Sequence, residues 1–262
     1  IPPIAALGTQ YVGVRYRSRT AAEESVPWRL VGVANGTTLT WEPSTPAGAP
    51  TTLSAGQVAE FSSTGYFVAR SQDAAHPFYM AQYMTGGCLI DPNRDSCAPF
   101  DGYPDGVGDA EFVNMIPPDQ YLRRYTFFTD PTYPETNLVV VRRRDATTTQ
   151  FPTVTLDCAG VLGGWQAVGS GGEFEYTRID LSRFNWVGQN GCDNGVHLIQ
   201  ASIPGNPPNA NPQIGVTVWG WGNTNTYSGT DETNPLSTRW VSYAYPAGAN
   251  IARLNNVVFP AN

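Results

Sequence analysis

The sequence contains no lysine: all 15 basic residues among its 262 are arginine. Histidine occurs only twice and charged residues make up 14% of the chain. No run reaches the roughly 20 apolar residues that a membrane-spanning helix requires. Lysine and glutamate are the usual material of solvent-facing helices, so their scarcity argues against helical structure. The net charge of −7 repels a nucleic-acid backbone. The one dense basic run, Arg142-Arg143-Arg144, follows "NLVVV" and precedes "DATTT", as at the solvated end of a strand near a hairpin. No glycine-rich loop opens a helix, which excludes nucleotide binding, and "GSGG" around Ser170 lacks the nucleophile elbow of a serine hydrolase. No charged segment followed by an apolar core stands at the start, so "IPPIAALGTQYVGV" is expected to be mature sequence after loss of a signal or lipid anchor.

What is present is strand and turn. Short runs such as "WRLVGVA", "YFVAR", "FYMAQYM", "NLVVVRR", "EFEYTRI", "VHLIQASI" and "IGVTVWGW" are separated by Gly, Pro, Asn and Asp. No segment holds a 3.6-residue period for three turns. The fold class is therefore all-β, with very little helix. The runs fall into two series of similar order. "LGTQYVGVRY" corresponds to "YLRRYTFFTD", and "WRLVGVANGTTLTW" to "NLVVVRRRDATTTQ…VTL". "LSAGQVAEFSS" corresponds to "GSGGEFEYTRIDL", and "YFVARSQDAAHPFYMAQYM" to "VHLIQASIPG…QIGVTVWGW". This predicts two antiparallel β-sandwich-like lobes related by internal duplication. The boundary is expected in the loop-rich stretch before "AEFVNMIPP", giving residues 1–109 and 110–262.

The four cysteines, Cys88, Cys97, Cys158 and Cys192, allow three disulfide connectivities. Nearest-neighbour pairing fits best, because "CLIDPNRDSC" is turn-rich and its ends must meet. Closing that loop stabilises by roughly 3 kcal/mol and the longer one by nearer 4 on the chain-entropy model. Two bridges place the chain in an oxidising compartment. Zinc is the competing account, since Cys192 and His197 stand close in "CDNGVH".

At "NGCDNGVH", "GVTVWGWGN" and "VSYAYPAGANI" the chain resembles the C-terminal part of the IgGFc-binding protein N-terminal domain family, in its bacterial secreted or lipoprotein form. "LGTQYVGV", "TTLSAGQVAEF" and "MIPPDQYLRRYTFF" are similar to that family's strand and glycine pattern. The resemblance covers most of the chain, and its motifs are structural. It implies an extracellular, non-enzymatic, adhesion-like module, without implying that this chain binds antibody.

Three candidate sites stand out. In "IGVTVWGW", Ile214, Val216 and Val218 share one face while Thr217, Trp219 and Trp221 share the other. Gly220 and Gly222 leave the first face bare, where another backbone must approach closely. The tryptophans form a ledge, either covered by residues 223–240 through Tyr227, Leu236 and Trp240, or open for stacking on sugar rings. Buried tryptophan is the commoner state, so cover is expected. Second, Glu173 and Glu175 lie on one face of a strand about 6.5–7 Å apart, in the range of an inverting glycosidase pair. Phe174 and Tyr176 leave them on the solvated face, however, without the enclosing pocket that would separate their pKa values. Third, an acidic, glycine-punctuated loop carries Asp91, Asp95, Asp101, Asp105, Asp109 and Glu111, with Asp101, Asp105 and Asp109 as calcium candidates. No other cofactor is implied.

These features describe a secreted or surface protein that acts by adhesion, matrix attachment or surface assembly, with a protein or glycan partner or with itself. The other function class is a carbohydrate-binding module or glycoside hydrolase using Trp219, Trp221, Glu173 and Glu175.

Overall fold

The structure is a computed structural model that describes residues 2–19, 23–86, 99–100, 103–104, 108–183, 186–222, 238 and 241–258. The first series of runs forms β1 (Gln10–Gly13), β2 (Val26–Gly32), β3 (Thr37–Glu42), β4 (Thr52–Leu53), β5 (Val58–Ser63), β6 (Phe67–Ser71) and β7 (Phe78–Met84). β8 (Pro99–Phe100) and β9 (Tyr103–Pro104) pair with each other, and β10 (Glu111–Asn114) then pairs with β7. The second series forms β11 (Arg124–Thr129), β12 (Glu135–Arg143), β13 (Thr153–Leu156), β14 (Gly160–Val161) and β15 (Gln166–Val168). It continues with β16 (Phe174–Arg183), β17 (Val187–Gly188), β18 (Gly195–Ser202), β19 (Gln213–Trp221) and β20 (Ser242–Pro246). Among the described residues there is no α-helix, only 3-10 turns at Ile4–Ala6 and Pro118–Gln120.

Four antiparallel sheets carry the architecture. Sheet 1 runs β10-β7-β2-β5 and sheet 2 runs β1-β6-β3-β4. Sheet 3 runs β15-β16-β12-β19-β20, with β17 on β16, and sheet 4 runs β11-β18-β13-β14. Substituting second-series strands in order turns sheet 1 into β20-β19-β12-β16 and sheet 2 into β11-β18-β13-β14, so sheets 3 and 4 repeat sheets 1 and 2. The N-terminal sheets continue past residue 109 through β10, and sheet membership changes between β10 and β11.

The duplication reaches single atoms. The Tyr11 hydroxyl accepts the Gly8 N–H at 3.3 Å and donates to the Phe78 carbonyl at 2.8 Å. The Tyr125 hydroxyl accepts the Leu122 N–H at 2.9 Å and donates to the Ile214 carbonyl at 2.6 Å. Phe78 N–H donates to Gly8 and Ile214 N–H to Leu122 in the same way. Each tyrosine pins a 3-10 turn to the start of its lobe's β7-type strand. Both hydroxyls have lost water, and burial raises the pKa of each, Tyr125 to about 12.

Alternation builds the cores. In β2, Val26, Trp28 and Leu30 turn inward onto Phe67 and Met80, while Arg29 faces out beside Glu60. In the second lobe Leu138, Val140, Ile199, Val216 and Val218 form the equivalent core. β12 departs from simple alternation. Its neighbours Val139 and Val141 are buried too, but belong to the cluster of the first lobe. Sheet 3 is covered on both faces, by sheet 4 on one side and sheet 2 on the other, which explains the unbroken apolar run "LVVV".

The "NGT" turn at Asn35-Gly36-Thr37, whose composition suggests a hairpin, instead carries the chain from sheet 1 to sheet 2, because β2 and β3 lie in different sheets. The segments around Ile4–Leu7 and Asn255–Val257 meet on the outer side of sheet 1. Asn255 Nδ2 donates to the carbonyls of Ile4 at 2.8 Å and Leu7 at 2.9 Å, and Val257 packs with Leu7 and Tyr79.

Candidate functional site

The tryptophan ledge is buried: Trp219 and Trp221 are both 0% exposed. Its cover comes from the first lobe. Tyr16, on the segment that leaves β1, places its ring 4.7 Å from Trp219 and 6.1 Å from Trp221. The Arg17 guanidinium lies 5.0 Å over Trp221 and bonds Glu135 at 2.5 Å and Asp180 at 2.7 Å. Expecting cover was right in kind, but its described source is the other lobe. Tyr227, Leu236 and Trp240 lie outside the described residues. A ledge shut inside the lobe junction offers no ring face to a sugar, so the ligand-binding role given to Trp219 and Trp221 is corrected to packing. The bare opposite face has a direct account: Gly220 pairs with Tyr243, whose ring occupies the space a Cβ at Gly220 would need.

Glu173 and Glu175 are tied down by arginine. Glu173 accepts from Gln10 at 3.1 Å, Arg70 at 2.8 Å and Arg143 at 3.0 Å. Glu175 accepts from Arg142 at 2.5 Å, and Arg142 also covers the Trp165 ring at 4.0 Å. Arg142 and Arg143 of the run therefore end β12 in ion pairs, while Arg144 is exposed, as expected of the solvated end of a strand. Across the same seam Glu42 accepts N–H groups of Ser170 at 3.1 Å and Gly171 at 3.0 Å and pairs with Arg70. Burial alone would raise the Glu42 pKa, but the Gly171 donor, the Arg70 guanidinium and the Ser170 donor hold it below its ordinary value. Planar guanidinium groups reach several acceptors at once, so arginine fits a lobe seam that point-like ammonium groups would not. Each glutamate fixes the sheet 2–sheet 3 contact or a strand end, and neither faces an enclosed reaction space as an acid/base pair.

Cys158 and Cys192 form a disulfide. The Cys88 with Cys97 pairing lies outside the described residues. The bridge consumes the Cys192 sulfur that a zinc site would have used as thiolate. His197 sits beside it, with Nδ1 3.1 Å from Asp157 and Nε2 2.8 Å from the Asp193 carbonyl. Asp157, Cys158 and His197 lie close enough to share an ion, but one of the three ligands is the bridged sulfur. Asp101 and Asp105 are outside the described residues. Asp109 is exposed, its carboxylate accepting the Ala110 N–H at 2.6 Å.

Among the described residues, one open apolar surface lies on sheet 4. Along β11, Tyr125 and Phe127 point inward and Arg124, Thr126 and Phe128 outward; along β18, His197, Ile199 and Ala201 point inward and Val196, Leu198 and Gln200 outward. Phe128 and Val196 are cross-strand partners, 52% and 68% exposed. Beside them a groove of about 480 Å³ runs between the edge strands β11 and β20, with Phe128, Tyr133, Tyr243 and Tyr245 along its wall. Tyr133 meets Tyr243 edge-on at 4.6 Å, and Tyr245 donates its hydroxyl to the Phe128 carbonyl. Burial pushes the Tyr243 pKa up to about 12, so these hydroxyls are neutral donors and acceptors at physiological pH.

A family model described as IgGFc binding protein matches residues 1–220, from the first 3-10 turn to all but the last residue of β19. The chain belongs to the IgGFc-binding protein family. No curated protein matches it by sequence. Among solved structures, an anti-sigma factor domain-containing protein aligns with 10% identity over 80% of this chain and 78% of its own, with a TM-score of 0.20. That likeness is too slight to bear on the fold. The IgGFc-binding match covers sheets 1, 2 and 4 and all of sheet 3 except Trp221 and β20, including both open surface strands of sheet 4.

Phe128 and Val196 were not singled out in the sequence, although their signal is there. In "YTFFTD" the inward positions are taken by Tyr125 and Phe127, which strands Phe128 on the outer face. In "VHLIQAS" the inward His197, Ile199 and Ala201 do the same for Val196 and Leu198.

Proposed function

We propose that this IgGFc-binding-family chain is an extracellular or cell-surface binding module, non-enzymatic, serving adhesion or surface assembly through the outer face of sheet 4. The observation that carries this reading is the exposed Phe128 and Val196 pair on a sheet whose other face is fully packed. Apolar groups held open on a rigid sheet suit protein contact. The disulfide supports an oxidising, exported setting. The test is surface-immobilised binding to a panel of extracellular proteins, matrix components and immunoglobulin Fc among them. Saturable binding that falls at least tenfold with Phe128→Asp is the expected result. Binding indifferent to that substitution, or none across the panel, rejects the sheet 4 assignment.

The tyrosine-lined groove beside that face favours a second reading, glycan binding, now without Trp219 and Trp221. A glycan array with wild type and Tyr133→Ala decides it: hits lost in the variant support the groove, and an empty array removes it. Calcium at Asp101, Asp105 and Asp109 is proposed as a structural adjunct of the acidic loop. A calcium titration by calorimetry that gives no heat rejects it.

A further inference from the structure

The duplication relates the open sheet faces to a contact made inside the chain. Within the chain, the outer face of sheet 2 docks on the outer face of sheet 3. At the heart of that contact the rings of Tyr66 and Tyr176 meet at 4.5 Å, and Val14 shares a core cluster and lines one cavity with Val139 and Val141. Sheet 4 repeats sheet 2, and sheet 1 repeats sheet 3. The outer faces of sheets 4 and 1 are therefore the two halves of this same contact, separated at opposite ends of the stack.

The equivalence runs residue by residue. Tyr11 with Ala69 matches Tyr125 with Ile199 in the ladders, so three steps along, Val14 and Tyr66 match Phe128 and Val196. Phe78 opposite Gly32 matches Ile214 opposite Arg142, so Val31 opposite Val58 matches Val141 opposite Tyr176. The pair of half-buried Tyr66 and buried Tyr176 thus has two solitary counterparts, Val196 and Val58. These are 68% and 56% exposed, on sheets whose inward positions are packed. By the same register Val139 and Val141 match Arg29 and Val31, so the copied face keeps its apolar exposed position at Val58, beside the Arg29 and Glu60 pair.

We propose that a second copy of this chain docks head to tail, the outer face of sheet 1 on one copy resting on the outer face of sheet 4 of the next, with Val58 meeting Val196. This rests on the binding-module reading above and names its partner. The contact is heterologous, joining different surfaces, so it propagates instead of closing at two copies. The segments around Ile4–Leu7 and Asn255–Val257 cover Tyr79 and Ala81 on sheet 1. Docking therefore uses the half of that face bearing Val58, where Arg29 and Glu60 are paired beside it.

Sedimentation velocity over a concentration series tests the assignment with wild type, Val58→Glu and Val196→Glu; both positions are exposed, so both variants fold. Wild type should give a ladder of species at whole multiples of the monomer mass. Each variant alone should stay monomeric, and the two mixed should form a dimer and nothing larger, because each retains one intact face. A wild type monomeric throughout overturns head-to-tail assembly, while leaving the panel result with Phe128→Asp to judge the binding-module reading separately. Association abolished by Val196→Glu but untouched by Val58→Glu overturns it too, since sheet 4 would then pair with itself.

Discussion

Tyr16 of the first lobe lies over Trp219 of the second, ring centroids 4.7 Å apart, so the core of one lobe is completed by the other. The expected consequence is that Trp221→Ala, deleting a fully buried ring from that junction, destabilises the whole chain by about 3–5 kcal/mol. Chemical denaturation followed by tyrosine and tryptophan fluorescence checks this. A loss below about 1 kcal/mol, the range of surface changes, would place the ledge in solvent.

Gly220 gives a second test. Its missing side chain is the space in which the Tyr243 ring packs across the β19 and β20 ladder. Gly220→Ala should therefore cost about 1–3 kcal/mol as an overpacking change. Gly220→Ala combined with Tyr243→Ala should recover some of it. If the double variant is simply the sum of two losses, the two residues are not in contact.

Acid should loosen the lobe seam through Glu42. Its pKa is lower in the folded chain, so its contribution is present above the unfolded value of about 4.3 and is lost as pH falls through the folded value. Glu42→Gln is expected to lower the unfolding midpoint near neutrality and to flatten the decline below about pH 4. Parallel pH profiles for wild type and variant would remove Glu42 from the seam.

The strand content, the two-series order and all four segment correspondences were legible because alternation and turn residues are local signals. "WRLVGVA" states its inward and outward faces on its own. The burial of Trp219 and Trp221 followed from general preference, but the identity of their cover did not. Tyr16 is far away in sequence, and only the docking of two sheets brings it there. Glu173 and Glu175 misled for the same reason. Two carboxylates on one strand face look alike whether they meet solvent or Arg70, Arg142 and Arg143. The outer face of sheet 4 was hidden by a different effect: an outward Phe128 is unremarkable until its duplicate, Val14, is found buried.

The clamp of Asn255 on Ile4 and Leu7 has a mechanical consequence. Tension applied between Ile4 and Asn255 would fall on the few hydrogen bonds that join these two segments. The ladders of the four sheets lie outside that line of force until the C-terminal segment has peeled away. A module tethered through these two segments can then lengthen at low load while its docking faces keep their shape, yielding like a safety strap and sparing the body it fastens.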